Sequence, residues 1–173
     1  MQINMNKVDG TSLPETVVRL LIKEKKTATF AESCTGGLLA KKITDIAGAS
    51  ECFECSFVTY SNEAKEKMLG VSHETLQTFG AVSSQTAEEM AEGIRKLSGA
   101  DMGIAVTGIA GPDSDSSGKP AGYIFAAISA AGYSAFETIE TGRNDREYNR
   151  YVSASRALNL VRIYIENRKE FLI

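Results

Sequence analysis

Apolar residues recur at Leu13, Val17, Leu20 and Leu21, a spacing of three and four that gives a helix over Leu13 to Lys25 one buried face. Thr27 to Ala31 has the length and composition of a short strand, and Glu32-Ser33-Cys34-Thr35-Gly36-Gly37 follows it as a glycine loop. A second helix carries Leu39, Ile43 and Ile46 on one stripe and ends near Gly48, a residue suited to the position after a C-cap. Phe53 to Tyr60, rich in aromatic and β-branched residues, predicts a strand, and a helix follows from about Ser61 to Leu69. Ala87, Met90, Ala91, Ile94 and Leu97 mark the inner face of another helix. Met102 to Thr107 is an apolar run of strand length, and Gly108 to Pro120 is a loop crowded with Gly, Pro, Ser and Asp. Tyr123 to Ser129 and Tyr133 to Thr141 predict an antiparallel hairpin turning at Ala131-Gly132. The last helix, from about Asp145 to Asn167, directs Ala154, Leu158, Val161 and Ile165 inward. Helices alternating with short apolar strands predict a layered α/β domain with a mixed sheet. No repeat, low-complexity tract or linker divides it, so residues 1–173 are read as a single domain.

Composition supports one core. A chain of 173 residues, 43% hydrophobic with three prolines, buries enough surface to fold without disulfides or metals. Its 19 Lys and Arg against 22 Asp and Glu leave a net charge of -3, so nucleic acid and anionic membranes are not expected partners. Apolar runs stop short of the ~20 residues that span a bilayer. The polar start, Met1 to Leu13, lacks the apolar centre of a secretion signal. Three cysteines make no disulfide framework and agree with a reducing compartment, so a cytoplasmic location is expected.

Candidate chemistry gathers around Ser33, at a strand-to-helix turn where loop N–H groups and a helix N-terminus can hold negative charge. A serine hydroxyl needs a base. His73, between Ser72 and Glu74 at a helix start, reads as a solvated surface residue. Lys65 has Ser61, Asn62, Met68 and Leu69 as its helical neighbours, so no carboxylate stands where an ion pair would form, whereas Lys67 follows Glu63 by four and belongs on the solvent face. Lys65 therefore lies on the apolar side near the positive end of its helix, and both conditions disfavour its charged form. The competing reading is a lysine snorkelling along the core edge. Tyr60 can donate to Ser33, orient Lys65 or stack on a flat ring, although a tyrosine at a strand end is more often core. Thr35-Gly36-Gly37 and Thr107-Gly108-Ile109-Ala110-Gly111-Pro112 are two loops whose amides can approach an anion. Arg146 and Arg150, one helical turn apart, can clamp a phosphate or carboxylate, with surface pairing to Asp145 and Glu147 as the competing reading.

Other signals fail on inspection. Cys52-Phe53-Glu54-Cys55 runs into a strand rather than opening a helix, so it is not a redox pair. Cys34, Cys52, Cys55 and His73 contain only one closely spaced pair and make a poor zinc site, so no metal is expected. Asp113-Ser114-Asp115-Ser116-Ser117-Gly118 imitates a calcium loop, but Ile124 stands where the bidentate glutamate belongs. Cys34 remains a competitor as nucleophile, since a thiolate at a helix N-terminus is activated without a partner base.

Several stretches together carry a specific resemblance. They are Ala31-Glu32-Ser33-Cys34-Thr35-Gly36-Gly37, Tyr60-Ser61-Asn62-Glu63-Ala64-Lys65, Gly80-Ala81-Val82-Ser83, Thr107-Gly108-Ile109-Ala110-Gly111-Pro112 and Lys119-Pro120. In this order, over roughly Lys25 to Arg150, the chain resembles the CinA C-terminal domain family. The resemblance implies a three-layer α/β/α fold, a homodimer, no metal and no cofactor. It also implies a nicotinamide-nucleotide amidase that converts nicotinamide mononucleotide to nicotinic acid mononucleotide and ammonia. Ser33 is then the nucleophile, Lys65 the base and Tyr60 an assisting residue. Cys34, Thr35, Gly36, Gly37, Thr107, Gly108, Gly111 and Arg146 become the substrate-binding candidates. Full-length members of the family carry a preceding nucleotide-binding domain while others stand alone, so the chain is expected to be either a stand-alone enzyme or a fragment, and the alternative function is a non-catalytic nucleotide-binding or regulatory module of a competence/damage-inducible protein. Three features depart from the family: Asp113-Ser114-Asp115-Ser116 replaces a more glycine-rich run, Ala121 stands where valine is usual, and Arg143-Asn144-Asp145-Arg146 matches the family's Gly-Asp-Arg only in part.

Overall fold

Strands β1 (Lys7–Val8) and β2 (Thr11–Ser12) pair antiparallel ahead of helix α1 (Leu13–Lys23) in the computed structural model of the protein, which describes residues 7–8, 11–114 and 118–168. Ser12 caps α1 by accepting the Glu15 N–H, and Pro14 sits in the first turn, where its missing donor costs nothing. The chain continues through β3 (Ala28–Glu32), α2 (Leu38–Thr44), a 3-10 turn (Ala49–Glu51) and β4 (Phe53–Val58). Helices α3 (Asn62–Leu69), α4 (His73–Phe79) and α5 (Ser84–Ser98) lead to β5 (Met102–Gly108). The hairpin β6 (Tyr123–Ala130) and β7 (Tyr133–Glu140) precedes α6 (Arg146–Arg168).

The main sheet has the order β4-β3-β5-β6-β7. β3 runs parallel to both β4 and β5, and the hairpin adds antiparallel strands beyond β5, so the sheet is mixed. Alternation along the strands sorts its two faces. Phe30, Ile104, Val106, Ile124 and Ile128 pack against α1, α2 and α6 through Val17, Leu39, Ile43 and Leu158. Ala31, Ala105 and Ala127 face the other way, towards Leu69, Met90, Ala91 and Ile94 of α3 and α5. The domain is thus α/β/α in three layers.

Small residues on the second face let α5 lie close to the sheet. A Cβ placed on Gly103 would come within 2.0 Å of the Ala91 carbonyl oxygen, and where α5 meets α3 one on Gly93 would come within 1.9 Å of that of Leu69. Backbone contact of this kind needs glycine on sterics alone.

Element boundaries shift where side chains take up other work. β4 stops at Val58, two residues before the predicted end: the Thr59 N–H still donates to the Glu32 carbonyl of β3, but the Thr59 and Tyr60 carbonyls are turned to Lys65. Leu97, expected on the inner face of α5, is 57% exposed, on the wall of an open groove beside β6 and β7. The sequence marks α4 only by its start at His73, and seven residues are too few for a periodic stripe to show. Among the described residues no helix is long and apolar enough to cross a membrane.

β3 sends the chain to β4 on one side through α2, while β5 lies on its other side and is reached through α3, α4 and α5. The carboxyl ends of β3 and β5 therefore flank a crevice at which connections leave in opposite directions, the usual position of a ligand in an open α/β sheet.

Candidate active site

Ser33 immediately follows β3 at that crevice, and its N–H donates to the Val106 carbonyl of β5. The hydroxyl is buried. Lys65 reaches it from α3, with Nζ 3.1 Å from Ser33 Oγ. The ammonium position is one of the most buried polar sites in the protein: Lys65 is 1% exposed. Its nitrogen also donates to the Thr59 carbonyl at 2.7 Å and approaches the Tyr60 carbonyl at 3.5 Å. Among the described residues no carboxylate pairs with it, and burial lowers its pKa from the ordinary lysine value to about 8.

These contacts define a geometry. A neutral amine has two N–H bonds and one lone pair. With the two carbonyls taking the N–H bonds, the lone pair is left for the Ser33 hydroxyl, which can then donate to it. Ser61 fixes the helix that delivers Lys65, accepting the Ala64 N–H at the N-cap, and Lys67 pairs with Glu63 at 2.6 Å on the exposed side.

Glu32, which the sequence left without a role, organises the other half. Its buried carboxylate accepts the N–H groups of Gly37, Leu39 and Ala40 and the Ser56 hydroxyl. An anion at a helix N-terminus is well placed, and an acidic residue just before a glycine loop and a helix start is the signal that marked it. Glu32 holds α2 and the Ser33 loop together.

That carboxylate corrects part of the expectation for the glycine loop. The Gly37 N–H is taken by Glu32 and the Gly36 N–H by the Ser33 carbonyl, so neither is free for a substrate anion. Thr35 is fully buried, and its carbonyl is gripped by Arg150 Nε and Nη2 at 3.2 and 2.7 Å. Arg150 is therefore a structural clamp on the loop, and Thr35, Gly36 and Gly37 stand outside the cavity lining.

A cavity of about 300 Å³ opens beside Ser33 and Lys65, with Cys34, Tyr60, Ala81, Val82, Thr107, Gly108, Gly111, Asp113 and Arg146 also in its wall. Thr107 donates to the Ala81 carbonyl at 2.7 Å and Lys119 to that of Val82 at 2.6 Å, so both anchor the segment before α5 across the opening. Arg146, at the start of α6, donates to the Gly111 carbonyl at 2.8 Å and to the Tyr60 hydroxyl at 3.1 Å. Tyr60 is 62% exposed, a wall of the mouth rather than a core residue. Close packing of β5 on β6 explains Gly108, where a Cβ would meet Ile124 at 2.5 Å.

Cys34 also lines the cavity, but burial pushes its thiol up to about 12, and Glu32 already occupies the helix N-terminus that would have favoured a thiolate. His73 lies on the surface with Nδ1 2.9 Å from Glu66 Oε1, away from the cavity. Among the described residues no three His, Cys, Asp or Glu side chains gather as metal ligands.

A family model described as the CinA C-terminal domain matches residues 10–165. A putative competence-damage inducible protein of Thermoanaerobacter pseudethanolicus is 47% identical over 162 residues, covering 91% of this chain and 38% of that protein. A CinA-like protein of Kosmotoga olearia is 48% identical over 155 residues, covering 90% of this chain and 37% of that protein. The chain thus spans about four-tenths of the length of these relatives. Among solved structures, competence/damage inducible protein CihA from Agrobacterium tumefaciens is similar with a TM-score of 0.82 and 41% identity, over 90% of this chain and 96% of that one. A CinA superfamily protein from Klebsiella pneumoniae is similar with a TM-score of 0.87 and 34% identity, over 90% of this chain and 96% of that one.

Proposed function

The chain belongs to the CinA C-terminal domain family, and from that premise we propose that it is a serine amidohydrolase that cleaves the carboxamide of nicotinamide mononucleotide with Ser33 as nucleophile and Lys65 as base. The observation that carries this reading is the 3.1 Å approach of Lys65 Nζ to Ser33 Oγ inside a cavity, by a lysine whose burial favours the neutral form.

In this mechanism neutral Lys65 takes the Ser33 proton as Oγ attacks the amide carbon. Cys34 lines the cavity and its N–H carries no bond to another described residue, so that amide remains available to the oxyanion, unlike those of Gly36 and Gly37. Protonated Lys65 returns its proton to the departing nitrogen, and ammonia leaves an acyl-serine. Water, deprotonated by the same amine, then releases nicotinic acid mononucleotide and restores Ser33. Arg146 at the mouth takes the anionic end of the substrate, and the Tyr60 ring offers a face to the pyridine.

Ammonia release from nicotinamide mononucleotide tests the reading. Ser33→Ala is expected to lower kcat by on the order of 10³-fold or more, while Cys34→Ala keeps most of the activity. Full activity in Ser33→Ala overturns the dyad, and loss in Cys34→Ala alone transfers the chemistry to the thiol. Binding without turnover by the folded wild type makes the chain a nucleotide-binding module.

A further inference from the structure

The charges around the Ser33 cavity do not suit an ordinary nucleotide. Among the described lining residues, the Lys, Arg, Asp and Glu side chains are Lys65, Arg146 and Asp113. Lys65 sits at the buried end, engaged with Ser33 and the Thr59 carbonyl. Arg146 and Asp113 belong to the mouth, where both are exposed.

Among the described residues, neither of these two is paired with an opposite charge. Arg146 donates to the Gly111 carbonyl and the Tyr60 hydroxyl, both uncharged. Asp113 makes no hydrogen bond or ion pair with another described residue, although it lies only two positions beyond the Gly111 carbonyl that holds the guanidinium. One cation and one anion thus border a single cavity without pairing. Their complement is a ligand that carries both signs at separate points. A purine or pyrimidine monophosphate brings only negative charge and meets Asp113 with nothing positive. An N-substituted pyridinium carboxamide with an anionic tail brings a ring cation as well.

We propose that Asp113 is a specificity-determining residue that recognises the positive charge of the pyridinium ring, while Arg146 receives the anionic tail. The inference rests on the amidohydrolase reading above and adds the property that singles out the substrate: the charge of its ring. The ring stays cationic from the bound ground state into the acylation transition state. The interaction therefore acts on both alike and registers in KM rather than kcat.

The test compares two substrates that share ribose, phosphate and carboxamide and differ in ring charge: nicotinamide mononucleotide and its dihydro form, whose ring is neutral. Full-length wild type, Asp113→Asn and Asp113→Glu are assayed with each for ammonia release. The dihydro compound is also titrated as an inhibitor of nicotinamide mononucleotide turnover, so that slow chemistry on it does not hide its affinity. Asp113→Asn is expected to raise KM for the cationic substrate about tenfold with kcat little changed, as for the loss of one partly solvated charge pair. The inhibition constant of the neutral compound should move less than about twofold. Asp113→Glu should recover most of the loss.

Intrinsic differences in amide reactivity, and any general loosening of the loop, affect both compounds and cancel when the two variants are compared. An equal change for the two compounds, or none for either, overturns the assignment of Asp113. Failure of folded wild type to release ammonia from either compound overturns the amidohydrolase reading itself, so the two failures are distinct.

Discussion

The groove between α5 and the β6–β7 hairpin has a volume of about 1000 Å³, against about 300 Å³ for the cavity beside Ser33. In the groove, the carboxylates are each engaged by hydrogen-bond donors, and one of them by two basic groups. Glu92 accepts from Arg95, Lys96 and the Ser129 hydroxyl, and the Arg95 and Ser129 hydrogen bonds hold its carboxyl down to about 2. Glu89 takes the Ser72 N–H and the Thr75 hydroxyl, and Glu88 takes the Ser134 hydroxyl. In the smaller cavity a lysine is buried next to a nucleophile, and among the described residues it has no carboxylate partner and Arg146 and Asp113 face the same space without an ion pair. Volume measures how much surface the packing left uncovered. Reactivity follows from charge that packing has desolvated and not neutralised.

The contrast breaks most sharply at Lys65. Lys65→Met is expected to lower kcat on nicotinamide mononucleotide by about 10³-fold, with the fold intact by circular dichroism. Wild-type activity should climb with pH and level off above about 8, because only the neutral amine accepts the proton; a profile that falls over this range would remove Lys65 as base. A change beneath both cavities comes next in size. Gly103→Ala pushes a methyl into the Ala91 carbonyl and should cost about 3 kcal/mol of stability in chemical denaturation.

Lys65 should also register in stability, with the opposite consequence for its loss. Its folded pKa is depressed, so between about 8 and the ordinary lysine value the unfolded chain binds more protons than the folded one. Wild-type stability should therefore rise relative to Lys65→Met as pH increases through that window, and below about pH 8 the methionine variant should be at least as stable as wild type. Parallel curves would show that Lys65 is charged when folded. The smallest effect is expected in the groove. Leu97→Ala, at an exposed position, should change stability by less than about 0.5 kcal/mol and leave kcat/KM unaltered. A large loss of activity there would erase the distinction between the two cavities.

Much of this was legible in the residues. Strong periodicity located α1, α5 and α6, and the apolar runs of β5 and the hairpin appeared within a residue or two of their positions. Lys65 stood out because its helical neighbours lack a carboxylate, which is local information. The glycine loop misled for a reason the residues could not display: whether an amide is free depends on what fills the helix N-terminus, and here Glu32 folds back into it. Arg150 was similarly ambiguous, since a guanidinium serves a loop carbonyl as readily as a phosphate.

Sequence alone therefore determined the longer helices and the strands of the main sheet, though not β1, β2 or the extent of α4, together with the chemical types at the turn after β3 and the solvent-averse position of Lys65 on α3, because helical and strand periodicity are set by neighbours in the chain. Only the tertiary structure decided that Nζ meets Oγ, that Glu32 rather than a ligand occupies the α2 terminus, and that Asp113 and Arg146 share one opening. Ser33 and Lys65 are separated by thirty-two positions. Their approach depends on β4 ending at Val58 and on α5 seated close enough to the sheet to carry α3 beside it, distances that packing sets and spacing does not record.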